Sequence, residues 1–204
     1  MPRNALFTRE EIVREAFGLV REKGFSALSA RELGKALGSS SRPIFTVFKD
    51  MGEVQKEVRK AAWHCFDDYM ADVTDYTPAF KEYGRRLIRF AKEDKFLFEM
   101  LFMDRGAGQN PMDSMATVCT DAIKIAYGLT HEEVMTLVGM CWFFACGLAT
   151  LSNTGAIDYS EEIIDELISR QFMSNLYFMK SGKEFHAEAP HLRGEESITL
   201  KLDL

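Results

Sequence analysis

The chain has 204 residues, of which 47% are hydrophobic, and a formal net charge of −6. This composition provides a sizeable core and excludes an intrinsically disordered chain. No N-terminal apolar run has the pattern of a signal peptide, and the four cysteines have neither disulfide-scaffold nor zinc-ribbon spacing. We therefore expect a cytoplasmic protein that holds no metal and no cofactor.

The charge is unevenly distributed along the chain. Residues 1–50 carry nine Lys or Arg against six Asp or Glu, whereas residues 51–204 carry sixteen against twenty-five. A basic N-terminal part on an acidic body indicates that only the first part meets a polyanion.

Capping boxes predict the first two helices. Thr8 begins one that is stopped by Gly24, and Ser29 begins a shorter one that is stopped by Gly38. Both boxes place a glutamate three residues after the cap, so the start of each helix is predicted from two residues at once.

A third helix is predicted directly after the glycine turn. Ser40 is a suitable N-cap, and Ser41, Arg42 and Pro43 then form the first turn. Proline is tolerated there because the first N–H groups of a helix have no intrahelical partner. The apolar residues from Ile44 onwards anchor this helix to the core.

The remaining signals are also helical. Helices are predicted over residues 52–74, 77–100, 113–127, 130–152 and 160–180. Residues 106–111 form a loop, and residues 182–204 form a polar tail whose end, SITLKLDL, could pair as an edge strand. The sequence therefore predicts an all-α fold.

The second and third helices with the turn between them describe a helix-turn-helix, whose second helix enters the major groove of DNA. Arg42 can donate a bidentate pair of hydrogen bonds to guanine, and Pro43 can touch a thymine methyl group. Ser29 and Arg31 are placed to hold the DNA backbone or reach a base, and Lys49 is a candidate phosphate contact.

The run SALSARELGKALGSSSRPIFTVFKD, residues 26–50, resembles the DNA-binding domain of the tetracycline-repressor (TetR) family of bacterial transcription regulators. The resemblance covers about residues 5–60. The segment WFFACGLATLSNTG, residues 142–155, is similar to the penultimate helix of many ligand domains in that family, with Cys146 where a histidine is frequent. The family's phosphate- and base-contacting positions fall on Ser29, Ala30, Arg31, Ser41, Arg42, Pro43, Phe45, Thr46 and Val47.

Three departures from the family pattern affect the DNA contacts. Phe45 stands where the family usually has a tyrosine whose hydroxyl touches a phosphate, and Val47 replaces a residue that is commonly polar. The family's frequent lysine in the following turn falls near residues 51–52, which are Met and Gly. These changes predict weaker backbone contact, or compensation by Lys49 and Thr46.

The resemblance implies an N-terminal three-helix DNA-binding domain over residues 1–52, with the helix-turn-helix at about 29–48. A helical ligand-binding and dimerisation domain would follow over residues 53–181, and then the tail. A homodimer formed through the last two long helices would bind a palindromic operator. A small-molecule effector would shift the fourth predicted helix, residues 52–74. This shift would change the spacing of the two recognition helices and release the DNA, so that the protein acts as a repressor.

The body is rich in aromatic residues and methionine, which favours an apolar or aromatic effector. Plain core packing gives the same pattern, because Met and Phe also fill irregular cores. The candidate pocket residues are Trp63, Phe66, Phe90, Met100, Met103, Tyr127, Trp142, Phe143, Cys146 and Phe172.

The most apolar segment, residues 134–151, is interrupted by threonines and glycines and predicts a core helix buried on more than one side. Gly139 and Gly147 would allow close approach of a partner subunit, although an intrachain core would give the same pattern. The neighbouring dimer face would be supplied by Ile164, Leu167, Ile168 and Leu176. The acidic run of Glu161, Glu162, Asp165 and Glu166 is interpreted as a solvated helix face.

Two other classes of function stay open. An all-helical small-molecule enzyme is disfavoured, since the chain has no Gly-rich phosphate loop, no metal motif and no nucleophile–base constellation. A helix-turn-helix adaptor would act through protein–protein contacts of the acidic body. Cys141 and Cys146 are interpreted as structural rather than redox-active cysteines.

Overall fold

The computed structural model describes residues 6–75, 78–104 and 112–181 and contains eight α-helices and no strand within them. The all-α prediction is therefore confirmed. The possible strand SITLKLDL and the predicted loop 106–111 lie outside the described residues. The helices are α1 (Arg9–Lys23), α2 (Ala30–Ala36), α3 (Met51–Met70), α4 (Ala79–Glu93), α5 (Lys95–Phe98), α6 (Met112–Tyr127), α7 (His131–Asn153) and α8 (Glu161–Lys180).

Helix starts follow the local signals in the sequence. The backbone N–H of Thr8 donates to Glu11 Oε2 at 2.8 Å, and that of Glu11 donates to Thr8 Oγ1 at 3.1 Å, so the first capping box is complete. Thr130 and Glu133 form the same reciprocal pair before α7. Each box satisfies N–H groups that the helix leaves without partners.

Two predicted helices are wrong in form. The third is a short 3₁₀ turn over Ile44–Thr46 rather than an α-helix. The predicted helix 77–100 is interrupted at Asp94 and continues as α5 and a π-helical turn, Glu99–Met103. The buried amide of Asn153 donates to the carbonyls of Ala91 and Lys95 at 3.0 and 3.1 Å, so the end of α7 holds this break.

Helix α4 lies at the centre of the body and packs against α6, α7 and α8. A Cβ atom on Gly84 would lie 3.0 Å from Ile168 Cδ1, so the glycine permits the close approach of α4 and α8. Phe80 of α4 stacks on Phe172 of α8 with ring centroids 3.9 Å apart.

The core does not break at the predicted domain boundary. Buried residues of the N-terminal elements, such as Ile12 and Ile44, belong to the same hydrophobic cluster as Phe66 in α3 and Leu87 in α4. The predicted boundary at residue 52 itself falls on the first turn of α3, which begins at Met51. The division into two domains stays a prediction.

A ladder of ion pairs joins α4 to the start of α8. Arg85 Nε donates to Asp165 Oδ1 at 2.8 Å, Arg89 pairs with Glu161 at 2.6 Å, and Lys92 pairs with Asp158 at 2.8 Å. The acidic run of α8 is therefore only partly a solvated face. Two of its four members, Glu161 and Asp165, bind α4.

The partly exposed helix α7 is long and apolar enough, by length and composition alone, to cross a membrane. It packs against α4, α6 and α8, and 44% of its most apolar 18 residues is buried within the described part of the chain. Its outward side is apolar as well, because Met140, Phe143 and Leu151 are exposed there.

Candidate nucleic-acid interface

The segment 40–49, here called the tip, follows α2 after a left-handed glycine turn. The side chain of Ser29 accepts from the backbone N–H of Glu32 and begins α2. Gly38 has φ +63°, a conformation that glycine adopts without strain, and it redirects the chain toward the tip. These two residues fulfil the roles that the sequence predicted for them.

Gly34 of α2 allows the tip to cross the helix at close range. A Cβ atom at this position would lie 2.9 Å from the backbone carbon of Ser40 and from the nitrogen of Ser41. Both neighbours are backbone atoms, which cannot rotate away, so only glycine fits. The sequence analysis did not identify this residue, since its requirement is a tertiary contact.

The tip is wound more tightly than an α-helix. The N–H of Ile44 donates to the Ser41 carbonyl, that of Thr46 to Pro43, and that of Val47 to Ile44, all at 3.1–3.2 Å and all three residues apart. Such i→i+3 bonds define a 3₁₀ arrangement with three residues per turn.

Ion pairs and an apolar anchor fix the tip on the body. Ile44 and Phe48 are fully buried, and the Arg9 guanidinium lies over the Phe48 ring at 4.3 Å. Glu53 accepts from the Lys49 backbone N–H and from Arg9, both at 2.8 Å. These two bonds hold the pKa of the Glu53 carboxyl below its usual range. The sequence analysis missed this network.

The structure brings the predicted DNA-contacting residues together at α2 and the tip, but it exposes them unequally. The exposed ones are Ser29, Arg31, Ser40, Arg42, Phe45, Thr46 and Lys49. Ala30, Ser41, Pro43 and Val47 are half-buried. Val47 packs against the hydrophobic core, which explains an apolar residue at that position.

Two arginines of this surface differ from the others. Among the described arginines, Arg31 and Arg42 alone form no ion pair with a carboxylate, whereas every other one does. Lys35 of α2 is paired with Glu32 at 2.7 Å. The charges of Arg31 and Arg42 therefore face solvent with no carboxylate at ion-pair distance in the described part of the chain, although Lys35 and, to a smaller extent, Arg31 lower the pKa of the neighbouring Glu32.

A joint connects this unit to the body. Arg21 of α1 donates two hydrogen bonds to Asp94, at 2.5 and 2.9 Å, at the break between α4 and α5. Arg59 of α3 lies over the Phe25 ring at 4.2 Å and donates to the Met100 carbonyl of the π-helical turn at 3.1 Å. These contacts couple the position of the α5 region to the positions of α1 and α3.

The predicted pocket residues divide into three groups by burial. Trp63, Phe66, Phe90, Met100, Trp142 and Phe172 are buried. Tyr127 and Cys146 are half-buried. Met103 and Phe143 are exposed, the latter at 73%, so their assignment to a buried pocket is wrong. Both side chains lie on outward faces of their helical segments.

An aromatic cluster occupies the body beside the π-helical turn. Phe102, which the sequence analysis did not single out, lies 5.6 Å from Trp63, 5.1 Å from Phe66 and 6.1 Å from Trp142, measured between ring centroids. The Trp63 Nε1–H is buried and has no acceptor among the described residues. An unsatisfied buried donor is costly, which makes this nitrogen the most conspicuous polar group of the cluster.

A cleft of about 260 Å³ opens between the start of α4 and α6. Its lining is mostly apolar, and Tyr127 is the only predicted pocket residue in it. The residues that line it are Thr74, Pro78, Ala79, Phe80, Val118, Cys119, Ala122, Ile123, Ala126 and Tyr127. Phe172 stacks on Phe80 and therefore lies next to this lining.

The cysteines of the body are held as thiols. Burial raises the pKa of Cys119, Cys141 and Cys146 to about 12 each. A reactive cysteine requires a lowered pKa and access to solvent, so these thiols are poor nucleophiles at neutral pH. Within the described residues, no group of three or more His, Cys, Asp or Glu side chains could hold a metal ion.

No protein-family model matches the chain, and no curated protein matches it significantly. The interpretation of the tip therefore depends on the geometry and charge of its own residues.

Proposed function

We propose that this protein is a ligand-responsive, DNA-binding transcription regulator of the TetR type, a repressor that a small molecule releases from a palindromic operator. The observation that carries the proposal is the pair of arginines, Arg31 and Arg42, left without ion pairs on one exposed surface. Every other described arginine pairs with a carboxylate of the chain, which leaves these two free to bind an external anion. A nucleic-acid backbone supplies such anions at regular spacing.

The shape of the surface favours duplex DNA over other polyanions. The tip projects its exposed side chains from a tight turn, while Ile44 and Phe48 fix that turn to the core. A rigid, narrow, basic projection suits the major groove, which admits an element of helical width. The apolar anchor would hold the backbone of Arg42 near a base edge, so that only its side chain has to be ordered on binding.

A second copy of the chain is the proposed partner of α7 and α8. Met140, Phe143 and Leu151 form an exposed stripe on α7 at helical spacing, and Met173 and Tyr177 do so on α8. Gly147 lies in the α7 stripe, and a Cβ there would meet no atom within 4 Å, which leaves room for a partner helix. A homodimer would cover this apolar surface.

The cleft between α4 and α6 is the proposed effector site. Its apolar lining suits a small apolar or aromatic molecule. The aromatic cluster around Trp63 is a neighbouring place where such a molecule could find a hydrogen-bond donor. The effector would shift α3, the helix predicted over residues 52–74, which begins directly after the tip and contacts the π-helical turn through Arg59.

Selection from a random pool of DNA duplexes tests the proposal. The protein is first unfolded in denaturant and refolded, so that any co-purified effector is removed. We expect enrichment of a palindrome whose half-site centres are about 34–36 Å apart, or farther apart by one helical turn of the DNA. Enrichment of no sequence by the refolded, dimeric protein would contradict the proposed function.

A further inference from the structure

We propose that Phe45 reads the methyl group of a thymine within two base pairs of the guanine that Arg42 contacts. This inference rests on the proposed DNA-binding function and specifies how the tip selects its sequence. It makes Phe45 a specificity residue, although the residue has no hydrogen-bonding group with which to read a base or hold a phosphate.

Arg42 and Phe45 are three positions apart in a tightly wound part of the tip. The N–H groups of Ile44, Thr46 and Val47 each donate to the carbonyl three residues earlier, and the 3₁₀ turn itself spans Ile44–Thr46, with Arg42 two residues before it. Side chains three positions apart lie on roughly the same side of such a turn. The Phe45 ring is 47% exposed, whereas Ile44 immediately before it is fully buried. Arg42 is exposed as well, so an arginine and an aromatic ring both face solvent within this short segment.

The hydroxyl of the next residue in the chain is already engaged. Thr46 Oγ1 donates to the Pro43 carbonyl at 2.6 Å, so its proton is used within the tip. Phe45 is thus the one large apolar side chain that the tip exposes beside Arg42. The apolar group that a base edge presents in the major groove is the 5-methyl group of thymine.

The surrounding charges favour DNA as the partner that contacts the Phe45 ring. Arg31 and Lys49 are exposed on either side of the segment in the chain, and Arg31 forms no ion pair with a described carboxylate. An apolar protein groove would have to desolvate these cations, whereas a duplex neutralises them with phosphates. Three residues of 3₁₀ helix span about 6 Å, which is less than two base-pair steps of about 3.4 Å.

The test uses the duplex selected by the wild-type protein. The guanine under Arg42 is identified as the position where Arg42→Ala loses discrimination. Each thymine within two base pairs is then replaced by deoxyuridine, which removes only the methyl group. We expect wild-type affinity to fall about fourfold for one such replacement.

Two variants complete the design. Phe45→Ala should bind the thymine duplex more weakly and should no longer distinguish it from the deoxyuridine duplex. Because the ring is half in solvent, this variant should fold normally, which circular dichroism checks. Tyr159→Ala removes an aromatic side chain of similar exposure, 41%, from the loop before α8 and should retain the full discrimination.

The outcomes separate this inference from the proposed function. Equal wild-type affinity for the two duplexes, or discrimination that survives in Phe45→Ala, overturns the reading of thymine while leaving the regulator intact. A selected site without thymine near the guanine does the same. If no duplex is bound specifically, both the proposed function and this inference are wrong.

Discussion

Gly34 determines, at the scale of a single residue, whether α2 and the tip can meet. The tip backbone crosses α2 where the glycine has only a hydrogen atom, and a methyl group there would lie 2.9 Å from two backbone atoms. Gly18 of α1 provides a natural contrast, because a Cβ at that exposed helical position would meet nothing within 4 Å.

We therefore predict opposite effects of alanine at these two positions. Gly34→Ala should destabilise the protein by about 1–3 kcal/mol through overpacking and should weaken DNA binding. Gly18→Ala should leave stability unchanged or raise it by up to about 1 kcal/mol, since alanine favours a helix interior. Urea unfolding measures both, and a Gly34→Ala protein as stable as wild type would show that the close crossing is absent.

Residue-scale prediction from the sequence succeeds where the signal is local. Thr8 and Thr130 form the complete capping boxes that residues three apart can form. Ser29 caps α2 with its hydroxyl alone, because the glutamate three residues later pairs with a lysine of the same helix. Gly34 and Phe102 were missed because what they do depends on segments distant in the chain. For Phe102, the run KFLFEMLFM was visible as apolar, but its central position among the rings required the fold.

The ion-pair ladder between α4 and α8 is the strongest electrostatic feature at the scale of elements. The Arg85 guanidinium holds the pKa of Asp165 below its ordinary value of 3.8. A lowered folded-state pKa means that the stabilisation is present above the ordinary value and is lost as pH falls through the folded-state value. The ion-pair ladder between α4 and α8 should therefore weaken below about pH 4.

The variant Asp165→Asn tests the contribution of the ion-pair ladder to stability. At pH 7 the variant should be less stable than wild type by about 1–2 kcal/mol, because it loses a partly buried charge-assisted pair. The difference should shrink as the pH falls through the lowered folded-state pKa of Asp165, since the wild-type carboxyl then becomes protonated and neutral too. Glu166→Gln, an exposed neighbour on the same helix, should stay within about 0.5 kcal/mol throughout. A difference for Asp165→Asn that does not change with pH would refute the ladder's role.

Element types were predictable, but two element forms were not. The predicted third helix is a 3₁₀ turn, and its short length and β-branched Ile44, Thr46 and Val47 disfavour an α-helix. The helix predicted over 77–100 breaks at Asp94 because Asn153, distant in the chain, takes the carbonyls of Ala91 and Lys95. Neither the Asn153 contact nor its effect can be read from local periodicity.

The whole molecule leaves apolar stripes on α7 and α8 uncovered. The sequence indicated these two helices for dimerisation but named the wrong face of α8, since Ile164, Ile168 and Leu176 are buried within the chain. Leu167 is half-buried there as well. Because α8 is apolar on two sides, its pattern alone could not show which side faces inward.

We predict that charges on the exposed stripes prevent dimerisation. Phe143→Glu and Tyr177→Glu, combined, should convert a dimer to a monomer in sedimentation equilibrium and should lower operator affinity at least tenfold, because one half-site contact is lost. Ile125→Glu alters another exposed apolar residue, on α6, and should leave the dimer intact. A double variant that remains dimeric would place the interface elsewhere.

The most direct measurement of the central claim is operator affinity against salt concentration for wild type, Arg42→Ala and Lys124→Ala. Lys124 is an exposed cation of α6, so its variant removes one positive charge far from the tip in the chain. We predict salt-sensitive binding by wild type and Lys124→Ala, and a loss of about 1–3 kcal/mol with relaxed base preference in Arg42→Ala. Full, sequence-specific binding by Arg42→Ala would contradict the assignment of the tip as the base-reading element.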